Sequence, residues 1–175
     1  MFRATTALGV SEEWTLEAPS DAALHPEGDS DAPATSSTPA SVHFVRSLSP
    51  SEYQLNDIEA RLRSSSAYAP VAHLAWAQTA GLWGTHSSLP LPRVGLEGTG
   101  LSGTVTLERG TFLHLGLVLS YALDSPPPGL GAAPGTVFTI NDSHRVRFYE
   151  RNYFDHPAFG VIALVTPAQA RPAGR

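Results

Sequence analysis

Between Leu101 and Leu123 large apolar residues alternate with small or polar ones almost without a break. Leu101, Gly103, Val105 and Leu107 fall on one side of an extended chain, and Ser102, Thr104, Thr106 and Glu108 on the other. After Arg109-Gly110 the pattern resumes over Thr111–Leu123. There Leu113, Leu115, Leu117, Leu119, Tyr121 and Leu123 share one face, while Phe112, His114, Gly116, Val118, Ser120 and Ala122 share the other. Period two is the period of the β-pleat, and a helix could not gather these leucines on one side. Two such runs joined by Arg-Gly predict an antiparallel hairpin with one wet and one dry face. This chain must therefore build a sheet and cover its leucine face.

The cover is expected from a helix. Ser49-Pro50-Ser51-Glu52 reads as a capping box with proline in the first turn, where its missing N–H costs nothing. Leu55, Ile58 and Leu62 follow on one stripe, and Ser64-Ser65-Ser66 ends it. Further strands are expected at Val71–Gln78 and at about Phe159–Val165. A second hairpin is expected to join Thr136–Ile140 to Arg145–Arg151 through Asn141-Asp142-Ser143. The fold class is then α+β: an antiparallel sheet of five or six strands with one main helix packed on one face.

Around this core, residues 17–41 are Ala, Pro, Ser, Asp and Thr with almost no large apolar side chain, and read as a flexible loop. Residues 42–167 form the main domain, 168–175 a frayed tail, and 1–16 the start of the domain.

Several function classes are excluded by composition. Net charge is −5, and all 11 basic residues are arginine. Nucleic acid and anionic membranes call for a basic surface that releases counterions, so neither is expected as a partner. With no cysteine, thiol catalysis and thiolate metal sites are absent. No apolar run approaches the roughly 20 residues of a membrane span. The opening Met1-Phe2-Arg3-Ala4 lacks the basic start and apolar stretch of a signal peptide.

Candidate chemistry is sparse. No serine lies in a Gly-x-Ser-x-Gly turn, and the glycine-rich stretches lack the lysine of a phosphate loop. His73, His114, Asp155 and His156 are the right residue types for a metal-dependent hydrolase, but their spacing matches no helical or strand ligand pair. Structural roles suit them better, so no catalytic residue, metal or cofactor is assigned. The arginines are more promising. On a continuous strand, Arg145, Arg147, Tyr149 and Arg151 share one face, a platform for carboxylates and sugar rings. Trp76, Trp83, Tyr153, Phe154 and Phe159 offer further aromatic surface, although buried aromatics usually serve the core.

Three segments, in order, resemble the CsiV-type peptidoglycan-binding family. The first is Tyr68–Gln78, with His73, Trp76 and Gln78 in an H-x-x-W-x-Q pattern. The second is Leu101–Leu115, a small-residue strand running into Phe112-Leu113-His114-Leu115. The third and most specific pairs Arg145-Val146-Arg147 with Tyr153-Phe154-Asp155-His156-Pro157-Ala158-Phe159-Gly160-Val161.

That resemblance implies a non-catalytic periplasmic protein that binds peptidoglycan. Its implied partner is an outer-membrane lipoprotein activating a bifunctional cell-wall synthase. Phe2-Arg3 and Glu12-Glu13-Trp14 look like the end of the family's opening strand, so Met1 is expected inside a truncated first strand with the signal peptide missing. The resemblance carries over no ligand contacts. On residue chemistry, the expected ligand-binding set is Arg145, Arg147, Tyr149, Arg151, Tyr153, Asp155 and His156.

Overall fold

A computed structural model describes residues 1–5, 44–127 and 129–168. Trp14, the expected loop over 17–41 and the tail beyond residue 168 lie outside the described residues. In chain order the elements are β1 (Phe2–Ala4), β2 (Val45–Ser47), a 3-10 turn (Pro50–Glu52), α1 (Asn56–Ser64), β3 (Tyr68–Pro70), β4 (Trp76–Gln78), β5 (Gly81–Leu82) and β6 (Ser88–Pro90). A second 3-10 turn (Leu91–Val94) leads to β7 (Leu101–Arg109), β8 (Leu113–Leu123), β9 (Thr136–Val146), β10 (Arg151–Asp155) and β11 (Phe159–Leu164).

The expected hairpin forms the centre. β7 and β8 pair antiparallel from Leu101↔Tyr121 to Arg109↔Leu113, so the leucines of both strands face the same way. The remaining strands make several sheets and not one. A five-stranded sheet runs β5-β7-β8-β9, with β6 also on β7 and the short β5 contact parallel. An antiparallel four-stranded sheet runs β10-β11-β1-β3, and β2 pairs with β4 alone.

The apolar face of the large sheet is closed by the four-stranded sheet together with Leu91, Val94 and Leu96 of the second 3-10 turn and the loop after it. Leu119 of β8 is fully buried, as are Phe154 of β10 and Phe159 of β11. Phe159 meets Tyr121 edge-on at 5.6 Å, and Phe154 stacks on His144 of β9 at 4.3 Å. These aromatic contacts tie one sheet to the other at the positions that exclude most water.

Three expectations are corrected. The capping-box residues do not start the α-helix. Glu52 accepts hydrogen bonds from the Ser49 N–H (2.9 Å) and hydroxyl (2.8 Å), closing only the 3-10 turn. Leu55 then takes a left-handed conformation (φ 63) and α1 begins at Asn56. No α1 residue is fully buried, and the helix packs beside β3, so the leucine stripe does not cover the main sheet. Nor is Val71–Gln78 one strand. Tyr68–Pro70 pairs with β1 and Trp76–Gln78 with β2, and the chain between crosses from one sheet to another.

The third correction bears on the site. Asn141-Asp142-Ser143 make no turn, because all eleven residues of β9 pair with β8 from Thr136↔Leu123 to Val146↔Leu113. A long ladder already offered by β8 satisfies every one of those positions, and that outweighs the local turn preference of Asn, Asp and Ser. The reversal comes later, at Arg147–Glu150, where Tyr149 takes φ 64. Its N–H donates to the Val165 carbonyl at 2.9 Å.

Candidate ligand-binding site

That displaced turn divides the expected arginine face. Arg145 lies on β9, Arg147 just beyond it, Tyr149 within the reversal and Arg151 at the start of β10. Period-two spacing holds only along a continuous strand, so the four do not form one platform.

Arg145 and Arg147 do come together, with a residue the sequence did not single out. The hairpin turn after β7 sits beside the end of β9, and Arg109, Arg145 and Arg147 line a cleft of about 250 Å³ with Phe112 and Phe148. The Arg145 guanidinium lies 3.4 Å from the centre of the Phe112 ring. Stacking against the ring fixes the plane of the guanidinium while its edge N–H groups stay free to donate. None of the three arginines makes an ion pair with a described residue. Other arginines are engaged: Arg151 binds Asp57 at 3.1 Å, Arg63 binds Glu59 at 2.6 Å and Arg46 binds Glu52 at 3.4 Å. Arginines that line one small cleft with no ion-pair partner among the described residues are suited to an anionic group, above all a carboxylate taken bidentately.

The other expected residues sit elsewhere. Arg151 is held by Asp57 of α1. The Tyr153 hydroxyl donates to Asp155 at 2.8 Å, and its ring stacks on Phe2 at 6.1 Å. Loss of water around the phenol, then the bond to Asp155, pushes its pKa up. His156 Nδ1 accepts from the Ala158 N–H at 3.2 Å, and its ring lies against Phe138 and Phe159. Burial lowers its pKa, which keeps the acceptor nitrogen unprotonated. Tyr153, Asp155 and His156 therefore brace a corner of the four-stranded sheet.

Among the described residues, the histidines do not assemble a metal site. His73 is bound by Glu59 (2.8 Å) and the Gln54 carbonyl (2.7 Å), whereas His114 lies on the outer face of the large sheet. Among the described residues, no group of three or more His, Asp or Glu side chains is placed to hold a metal ion.

A larger cleft of about 590 Å³ opens between the sheets. Its walls include Leu107, Leu115, Leu117, Val161 and Ala163, and at its rim Arg46 is paired with Glu52 and His73 with Glu59. An aliphatic wall whose one lining arginine is already paired does not suit an anionic polymer. The arginine cleft is the better candidate.

A family model described as "Peptidoglycan-binding protein, CsiV" matches residues 5–168, nearly the whole chain. The chain belongs to this family. Comparison with curated proteins and with solved structures returns no match. The matched span contains both the β7–β8 hairpin and the β9 end that together build the arginine cleft. No described helix is long and apolar enough to cross a membrane.

Of the functional candidates, Arg109 and Phe112 were missed because they flank the β7–β8 turn, and no local pattern shows that this turn lies beside the end of β9. Phe148 lies within the reversal that the turn-forming residues of β9 concealed.

Proposed function

We propose that this CsiV-family chain is a non-catalytic peptidoglycan-binding module of the periplasm, and that Arg109, Arg145 and Arg147 hold carboxylates of the polymer's stem peptides. The supporting observation is the cleft itself: three lining arginines with no ion-pair partner among the described residues, one of them stacked on Phe112. Its volume suits a peptide terminus better than a polymer strand, so the rest of the ligand must lie across neighbouring surface. The net charge of −5 opposes an anionic polymer at long range. At physiological salt the Debye length is about 8 Å, so contact-range arginines outweigh distant carboxylates.

In this reading the protein acts in cell-wall synthesis by presenting the wall to an outer-membrane lipoprotein that activates a peptidoglycan synthase. The test is co-sedimentation with purified sacculi at graded salt, comparing the chain with Arg109→Ala and with Arg145→Ala/Arg147→Ala. Salt-sensitive pelleting that fails in the variants, at unchanged thermal stability, is expected. Undiminished pelleting of both variants would discard the cleft. A wild-type chain that stays in the supernatant would remove the polymer as ligand and leave the protein partner.

A further inference from the structure

Trp83 is 59% exposed, yet it is held in place from several sides. Its backbone N–H donates to the Arg109 carbonyl at 3.2 Å, and the next backbone N–H, of Gly84, donates to Glu108 Oε2 at 3.1 Å. Thr85 closes the turn by donating from its hydroxyl to the Leu82 carbonyl at 2.8 Å. The indole rests on the His114 ring with centroids 4.1 Å apart. Gly110 allows the approach, since a Cβ there would lie 3.1 Å from Trp83 Cβ.

Beneath the indole the sheet buries the Glu108 carboxylate, which is only 4% exposed. Among the described residues, neither its buried Oε1 nor the buried His114 Nδ1 has a hydrogen-bond partner. Burying such groups is unfavourable. Above them the indole, seated on the His114 ring, turns an aromatic face toward solvent. An exposed, immobilised aromatic is a surface whose ordering entropy has been removed before a ligand arrives.

We propose that Trp83 is a sugar-stacking subsite that takes the apolar face of an N-acetylated hexose ring. It rests on the wall-binding reading and specifies which part of the polymer lies beside the arginine cleft. Glu108 and Arg145 are both cross-strand partners of His114, so they point to the same side of the sheet as the ring that supports Trp83. The indole lies over His114 of β8, and β8 is the strand next to β9, so one strand interval of roughly 4.8 Å separates the strand beneath the indole from that of Arg145. A sugar on Trp83 thus leaves its attached peptide beside Arg145. The face reads the glycan–peptide junction. Nucleobases also stack on indole, but a chain of net charge −5 without lysine is poorly suited to a polyanion.

The test uses the full chain and chitotetraose, a neutral oligomer of N-acetylglucosamine that the arginines cannot attract by charge. The three tryptophan indole N–H signals are followed by NMR, with Trp83 assigned by its loss in Trp83→Phe. A saturable shift of the Trp83 signal, with affinity at least tenfold weaker in Trp83→Ala at unchanged melting temperature, is expected. No shift, or a shift confined to the other two indoles, overturns the subsite. Sacculus pelleting is measured alongside. Wild-type pelleting without a Trp83 response sinks the subsite alone, and a Trp83 response without pelleting keeps the sugar site while sinking the wall reading.

Discussion

Gly103 and Gly116 lie in the same hairpin, but only at Gly103 should replacement with alanine cost stability. Gly103 has φ 132, a conformation that side chains rarely adopt. A Cβ there would lie 2.8 Å from Leu119 Cα and clash with the Val118 carbonyl oxygen, both backbone atoms of β8. Neither can rotate aside, so β7 must shift from β8 at the Gly103↔Leu119 pair. Backbone strain of about 1–3 kcal/mol and two weakened ladder hydrogen bonds, about 1 kcal/mol each, sum to roughly 3–5 kcal/mol. At 2–4 °C per kcal/mol for a chain of this size, Gly103→Ala should melt about 6–20 °C lower. At Gly116 the same atom meets the Ser143 side chain at 3.3 Å, and Ser143 is exposed enough to yield. The lower chain entropy of alanine in a strand then dominates, so Gly116→Ala should be neutral or stabilising by up to about 1 kcal/mol. Thermal unfolding followed by circular dichroism reads both. A Gly103→Ala chain melting within about 2 °C of wild type would refute the packing argument, as would a Gly116→Ala chain destabilised to the same extent as Gly103→Ala.

Leu119→Ala, at a fully buried position of the central strand, should cost about 2–5 kcal/mol, read as a lower urea midpoint with unchanged slope. Arg145→Lys keeps the charge but loses the planar fork stacked on Phe112, so sacculus binding should weaken about tenfold and remain salt-dependent, whereas Arg145→Ala should fall further. Glu52 is held down from 4.5 to about 2 by the Ser49 N–H and hydroxyl and by Arg46. A carboxyl depressed on folding contributes stability that is fully present above its ordinary value and is lost as pH falls toward the folded one. The melting curves of wild type and Glu52→Gln should therefore differ at pH 6 and converge near pH 2; a constant gap would show that Glu52 acts through packing alone.

Legibility in the sequence followed the range of the physics involved. The β7–β8 hairpin could be read because its alternation is local and its dry face is uniform. The division into several sheets could not, since Phe2 pairs with Gly160 and with Pro70, and no short window carries that information. Asn141-Asp142-Ser143 misled because turn chemistry is a local preference that an eleven-residue ladder overrules. Once the turn moved to Arg147–Glu150, Arg151 left the expected set and Arg109 entered the cleft from another strand. Arg145 and Arg147 stayed together because they are only two residues apart at the end of β9, which is too short a separation for the misplaced turn to divide them.

The pairing of β1 between β11 and β3 fixes an order of events during folding. The β7–β8–β9 meander joins neighbours in sequence and can close as soon as it leaves the ribosome or a translocation pore. The four-stranded sheet needs both ends of the chain at once, and the entropy of closing so long a loop must be met before its ladder returns any energy. Until Phe159 and Gly160 arrive, the leucine face of the meander waits uncovered. A nascent chain stalled before residue 159 would therefore present a half-built core to chaperones and proteases, and truncation from the C-terminus should be far less tolerated than the polar end of the sequence suggests.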